Sequence, residues 1–315
     1  MNALVTGVAG FIGSTLAGRL LDQGARVTGI DCFTDYYPRP VKEANLAALL
    51  GRPGFQFVES AIQNADLARM LSDATHVFHL AAQAGVRMSW GRDFGVYTTN
   101  NIEATQVLLE ACVGTKIERL VYASSSSVYG DDTPLPMRET AVPAPLSPYG
   151  VTKLAAEHLC SLYHANHGVP CVSLRYFTVY GPRQRPDMAF HRFLRAAITS
   201  QPITLYGDGE QTRDFTFVAD AAAATVNAAT LGVPGRVYNI GGGSRVSVNQ
   251  VLDVVGRLAG RRLDVRREGA QKGDMRDTYA DTGRARTDLG FAPSVTIGEG
   301  LAAEYEWLSA APGRA

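Results

Sequence analysis

The chain has little of what would mark a specialised class of protein. Neither charge is in excess: thirty Lys and Arg stand against thirty Asp and Glu, for a net charge of zero. A chain that binds nucleic acid normally shows a basic surplus, so no such partner is expected. Cysteine is scarce. The four residues (Cys32, Cys112, Cys160, Cys171) are scattered, with no CxxC pair and no histidine nearby at ligand spacing. That pattern speaks against a disulfide framework and a metal site, and it predicts reduced, mostly buried thiols in a cytoplasmic protein. No apolar run reaches eighteen residues, so no membrane-spanning helix is expected. The opening MNALVTGVAGFIGSTLAGRLL lacks a basic start, and glycines punctuate its apolar stretch, unlike a signal peptide. What remains is 315 residues, 46% hydrophobic and 19% charged. That is a globular composition with room for two domains or one large one.

Short β-branched runs alternate with longer helical patterns over the first ~180 residues. The strand candidates are 3–6, 26–31, 56–59, 76–80, 119–124 and 170–176, with amphipathic stretches at 14–22, 41–50, 96–113 and 149–167. This rhythm predicts an α/β fold: a Rossmann doubly wound parallel sheet with helices on both faces. Several strands are continuous apolar runs, as expected when both faces are buried. Beyond Tyr176 the rhythm loosens into a Gly, Pro and Arg-rich loop at 181–187. Helices are expected at 188–200, 220–231, 247–259 and 298–309, and strands at 203–206 and 236–240. The expected division is a dinucleotide domain at 1–176 joined by 214–242, with 177–213 and 243–315 forming a smaller substrate region.

Residues 6–13 read TGVAGFIG and place Gly7, Gly10 and Gly13 between the first strand and the first helix. One glycine makes the tight turn, one lets the backbone approach a diphosphate, and one allows close helix–strand packing. The diphosphate then lies at the positive end of the helix. Asp31 ends the second strand, eighteen residues beyond Gly13, where an acid hydrogen-bonds ribose hydroxyls. That acid, followed by Cys32 with no arginine beside it, would repel a 2′-phosphate, so NAD is favoured over NADP.

VYASSSSVYG closes the fifth strand candidate, and SPYGVTK follows with Tyr149 and Lys153. A spacing of four puts both side chains on one helix face. A lysine ammonium there, with a cationic nicotinamide nearby, is expected to lower the tyrosine pKa from its usual ~10 and create a general base. His79 falls in a buried strand and reads as a hydrogen-bonded core residue rather than a catalyst.

TGVAGFIG, FHLAAQAGVR, SSSSVYG, SPYGVTK, LRYFTVYGP, TRDFTFVAD and GDMRDTYAD follow one another along nearly the whole chain. In that order they resemble the extended short-chain dehydrogenases/reductases, in the NAD-dependent sugar-nucleotide epimerase/dehydratase group. The resemblance implies that Ser125, Tyr149 and Lys153 are the catalytic residues. It places Phe11, Ile12, Ile62, Leu80, Ala81, Ala82, Asn100 and Tyr176, with the glycines and Asp31, around NAD. Where the family carries an acid that contacts adenine, this chain has Ala61. It further implies a homodimer, built on apolar residues of 96–113 (Val107, Leu108, Ala111) and 149–167 (Leu154, Leu159, Leu162).

Dehydrating relatives resemble one another in an Asp-Glu pair before Val-Tyr-Gly, and decarboxylases carry a Glu there. This chain has Ser126 and Ser127, which leaves epimerisation at C4 as the implied reaction. LRYFTVYGPRQRPDMAF is similar to the pattern of UDP-glucuronate 4-epimerases, with Thr178 and Arg185 at positions near the sugar carboxylate. An arginine there suits the carboxylate chemically, because guanidinium pairs with it bidentately. Arg87, Ser126, Tyr206, Arg213 and Arg276 complete the implied substrate residues. Alternatives are a UDP-glucose/UDP-galactose 4-epimerase and a UDP-glucuronate decarboxylase. A non-catalytic NAD-binding sensor is disfavoured, because Ser125, Tyr149 and Lys153 are all present.

Overall fold

The computed structural model describes residues 1–269 and 273–310. The parts of the expected substrate region at 270–272 and 311–315 lie outside them. Six strands form in the order expected: β1 (Asn2–Thr6), β2 (Arg26–Asp31), β3 (Phe55–Glu59), β4 (His76–His79), β5 (Arg119–Ser125) and β6 (Cys171–Tyr176). A seventh, Val237–Ile240, joins beside β6. All pair in parallel, in the spatial order Val237–Ile240, β6, β5, β4, β1, β2, β3. The order reverses between β1 and β4, and the C-terminal ends of these two strands open the crevice where ligands bind in such sheets.

Period-two alternation explains the two cores. Leu4, Ile30, Val77, Leu120 and Tyr122 enter one cluster with Leu108 and Cys160, while Ala3, Val5, Val27, Phe78 and Val121 enter another with Leu16, Leu20 and Ala221. Helix α1 (Phe11–Asp22) and the helix Val218–Leu231 supply the second cluster, and Ala104–Cys112 and Pro148–His167 the first. A third cluster gathers Phe190, Leu194, Val251, Val255, Leu301 and Leu308. It is built from the helices Ala189–Thr199, Val248–Ala259 and Ile297–Ser309.

Three expectations change. The stretch 96–113 is not one helix. An α-helical turn at Phe94–Tyr97 widens into a π-helix at Thr98–Glu103 before Ala104–Cys112 resumes. Leu108 cannot make a dimer face, because it is fully buried, and Val107, Ala111 and Leu159 pack against the same core. Leu154 packs near Val128 and Phe177, which leaves Leu162, at 57% exposed, facing outward. Helix α1 begins at Phe11 rather than at residue 14, since Gly10 itself is the N-cap.

Candidate active site

The glycine loop owes its shape to close backbone approach. Gly7 has φ +71°, and a Cβ on it would meet the Ala81 nitrogen at 2.8 Å. A Cβ on Gly13 would meet the Gly7 oxygen at 2.1 Å, so helix and loop touch only because both lack side chains. Gly10 caps α1 with no side-chain hydrogen bond, leaving the first-turn N–H groups directed at the crevice. Asp31 Oδ2 accepts the Ala9 N–H at 3.0 Å and Oδ1 accepts the Phe33 N–H at 2.9 Å. The acid therefore braces the loop while lining the same cavity. A cleft with free helix N–H groups at one point and an acid at the end of the second strand at another fits a dinucleotide.

That cavity brings together Gly7, Gly10, Phe11, Ile12, Gly13, Asp31, Ile62, Leu80, Ala81, Ala82, Asn100, Tyr149, Lys153 and Tyr176. It also contains residues that the sequence reading passed over. Lys42 is 4% exposed, bonds Thr34 and lies 4.6 Å from the Tyr37 ring centroid. Its amphipathic helix reads as a solvated face, and only packing of that helix under Tyr37 buries the amine. Ala61 and Ile62 line the wall together, with Ser60 and Gln63 beside them. Tyr36 and Tyr37 also line it, and the doubled aromatic after β2 is the signal that was available.

Tyr149 and Lys153 start the helix Pro148–His167, capped by Ser147, whose hydroxyl accepts the Gly150 N–H at 3.1 Å. Burial holds the Tyr149 phenol above its usual value, while a hydrogen bond to Ser125 and the charge of Arg185 pull it down. Lys153 is not among the protein groups that lower it. Its Nζ donates to the Ala123 carbonyl at 2.8 Å, and burial lowers its own pKa to about 7. Ser125 and Arg185 are the protein groups that pull the phenol down, and Lys153 lines the same cavity while bonded to β5. His79 behaves as read from sequence. Its ring nitrogens meet Thr6 Oγ1 at 2.8 Å and Thr105 Oγ1 at 2.9 Å, and burial drops its pKa to about 3.

A second cavity is lined by Ser126, Ser127, Thr178, Arg213, Asp274 and Thr278, among others. Arg213 lies there with Nη1 donating to the Thr212 and Arg276 carbonyls at 2.9 and 2.8 Å. Arg87 pairs with Asp274 at 2.6 Å and sits 4.6 Å from the Tyr206 ring centroid, while Arg276 pairs with Asp208 at 3.2 Å. Arg87, Tyr206 and Arg276 line neither cavity. Arg185 is apart from Thr178. It lines the dinucleotide cavity and grips Asp187 through Nε and Nη2, both at 2.9 Å. The Tyr36 hydroxyl donates to the same carboxylate at 3.2 Å. Among the described residues, no group of three His, Cys, Asp or Glu is placed to hold a metal ion.

A doubly wound sheet with a glycine loop at its switch point and a Ser–Tyr–Lys set beside it defines an extended short-chain dehydrogenase/reductase. The chain belongs to the NAD dependent epimerase/dehydratase family, which matches residues 3–241. It is similar to UDP-glucuronic acid 4-epimerase from Bacillus cereus, solved in complex with UDP-glucuronic acid and NAD. Identity is 45%, the TM-score is 0.96, and the match covers 98% of this chain and 99% of that one. A Bacillus subtilis protein described as an uncharacterized UDP-glucose epimerase is 44% identical over 313 residues, 98% of each chain. UDP-glucuronate 4-epimerase of Thermodesulfobacterium geofontis is 38% identical over 309 residues, 96% of this chain and 95% of the relative.

Proposed function

We propose that this protein is an NAD-dependent isomerase that interconverts UDP-glucuronate and UDP-galacturonate by epimerisation at C4. The observation that carries this reading is the position of Arg185. Its guanidinium lines the same cavity as the Tyr149 phenol and pulls that phenol's pKa down, so an anionic group held by that arginine brings its sugar ring to the base. With Nε and Nη2 on Asp187, Nη1 is the edge of the guanidinium left for a sugar carboxylate, and a neutral hexose offers it no charge. Ser126 and Ser127 stand where dehydration or decarboxylation would want an acid, which leaves oxidation and re-reduction.

In this reading Tyr149 takes the proton of the 4-hydroxyl, and Ser125 hydrogen-bonds the same oxygen. Lys153 anchors the helix to β5 and, lining the same cavity, would hold the ribose. Ser126, Thr178 and Arg213 hold the far side of the substrate, with Arg87, Tyr206 and Arg276 at the rim for uracil and diphosphate. NAD, which Gly7, Gly10, Gly13 and Asp31 would hold, would supply the hydride acceptor and donor that inversion at C4 through a 4-keto sugar needs. That ketone is a β-keto acid, and a carboxylate held by Arg185 is kept from the alignment that releases CO₂.

The division into a dinucleotide part (1–176 with 214–242) and a substrate part (177–213 and 243–315) belongs to the same proposal. It is supported by the separate cluster around Leu194 and Val255. A homodimer is part of it too, with exposed Val151 and Leu162 available on the helix Pro148–His167. Four free cysteines suit the cytoplasm, and no described helix is long and apolar enough to cross a membrane. The deciding experiment incubates purified protein with UDP-glucuronate and resolves the products. UDP-galacturonate supports the proposal. Turnover of UDP-glucose alone would return the neutral-sugar rival, and CO₂ release the decarboxylase.

A further inference from the structure

Three consecutive residues at the C-terminal end of β5 meet three successive turns of the helix Pro148–His167. Ser125 is close enough to Tyr149 to pull its phenol pKa down. The Ala123 carbonyl accepts from Lys153 at 2.8 Å. Between them, the Ser124 hydroxyl donates to Glu157 Oε2 at 2.7 Å. Tyr149, Lys153 and Glu157 are four residues apart and share one helix face. The first two contacts belong to the chemistry already proposed, and the third does not.

Glu157 is also gripped from the neighbouring strand. Arg175 donates through Nη2 to Oε1 at 2.5 Å and through Nε to Oε2 at 3.1 Å. Its Nη1 reaches the Tyr129 hydroxyl at 2.8 Å, and that hydroxyl donates to Asn239 Oδ1 at 2.9 Å. Ser124 pairs in register with Arg175, and Arg175 with Asn239. A polar row therefore crosses three adjacent strands beneath the Ser–Tyr–Lys set. Ser124, Glu157 and Arg175 are 3%, 4% and 3% exposed.

Withdrawing an ion pair from water is costly, and apolar residues of the same size would hold helix to sheet as well or better. What apolar contact cannot do is fix the helix against the strand to within a hydrogen bond's tolerance. We propose that Ser124, Glu157 and Arg175 are positioning residues that set the spacing of Ser125 and Ala123 against Tyr149 and Lys153. None of the three acts on the sugar; they act through the register of strand and helix. The inference rests on Tyr149 being the base. Arg185 and the edge of the Tyr97 ring, at 6.2 Å, also face that phenol, while Tyr122 and His79 lie around Lys153. These groups are untouched by the variants below.

Ser124→Ala leaves the ion pair in place and removes only the strand-to-Glu157 bond. Because Ser124 also lines the dinucleotide cavity, bound NAD is quantified and rates are expressed per NAD-loaded site. On the holoenzyme, kcat should fall about tenfold with KM nearly unchanged, inside the ~10²-fold that a 1 Å misplacement costs. The acid limb of the kcat/KM profile should move to higher pH, since a loosened Ser125 contact no longer holds the phenol down. Glu157→Gln should show the same pattern, and Ser124→Ala alone suffices if that variant does not fold. Parental kcat per NAD site with an unmoved pH profile, even at a lower melting temperature, would mean a merely structural network and overturn the proposal. Tyr149→Phe is measured alongside. If Tyr149→Phe is inactive and Ser124→Ala is parental, only the positioning role fails. If Tyr149→Phe keeps parental activity, the base assignment and the inference fall together.

Discussion

Tyr149 works against its surroundings: burial keeps the proton on the phenol, and only Ser125 and Arg185 among the protein groups oppose that. Removing the hydroxyl should abolish turnover by ~10²-fold or more, the range for a positioned general base, with NAD and substrate binding retained. Kinetics and NAD content of Tyr149→Phe check this, and activity within a factor of three of the parent sinks the assignment. Arg185 should matter twice. Losing a charge-assisted hydrogen bond worth ~1.5–3 kcal/mol lowers kcat/KM for UDP-glucuronate roughly 10- to 150-fold at ~1.4 kcal/mol per decade. Since its charge lowers the Tyr149 pKa, Arg185→Ala should also carry the acid limb of activity to higher pH. Equal losses for UDP-glucuronate and UDP-glucose would show that Arg185 serves the loop instead. These residues were legible as types and spacings, but Arg185's own partner was not. Asp187 lies two residues away, and nothing in RQRPD says that the arginine folds back on it.

At the scale of elements, the π-helix Thr98–Glu103 shows what periodicity misses. Its widened turn puts Asn100 on the dinucleotide cavity while Asn101 is buried. Asn101 accepts the Gln83 N–H at 2.7 Å and donates to the Gln83 carbonyl at 3.0 Å and to Thr152 Oγ1 at 2.9 Å. Asn101→Ala strands the Gln83 backbone groups, and it should cost about 1–3 kcal/mol in a urea titration. The neighbouring Asn100→Ala leaves those bonds intact and should cost much less. Adjacent asparagines in a helical pattern were the available cue, but apolar spacing alone reads as one continuous helix.

The C-terminal helix Ile297–Ser309 buries Glu304, whose Oε2 accepts the Gly181 N–H at 2.9 Å while Oε1 has no partner. Burial raises this carboxyl from 4.5 to about 8. The unfolded chain releases the proton near 4.5 and the fold keeps it, so stability falls as pH rises from about 4.5 through 8. Glu304→Gln keeps an acceptor for Gly181 and has no proton to lose. Its melting temperature should therefore gain on the parent between about pH 5 and 8.5. A constant difference across that range contradicts the raised pKa.

For the whole molecule, Val151 and Leu162 are 47% and 57% exposed on the helix Pro148–His167, and a twofold axis along that helix would cover both. Light scattering at micromolar concentration should give the mass of two chains, and Leu162→Glu should shift it to one. A monomeric mass for the parent refutes the dimer. Leu108, which the sequence offered for this interface, is fully buried, while Val107, Ala111 and Leu159 are half-buried against the same core. Helical periodicity marks an apolar face without saying whether sheet or partner covers it.

By itself the sequence determined the alternating architecture, the glycine loop, Asp31 and the Tyr149–Lys153 spacing. Each depends on a period or a backbone demand that acts within a few residues. Tertiary structure alone decided that Lys42 is buried under Tyr37, that Lys153 bonds Ala123, and that Ser124, Arg175 and Asn239 stand in one row. The last of these depends on the register of strands some fifty residues or more apart. Parallel pairing brings such residues side by side only after the intervening helices have packed.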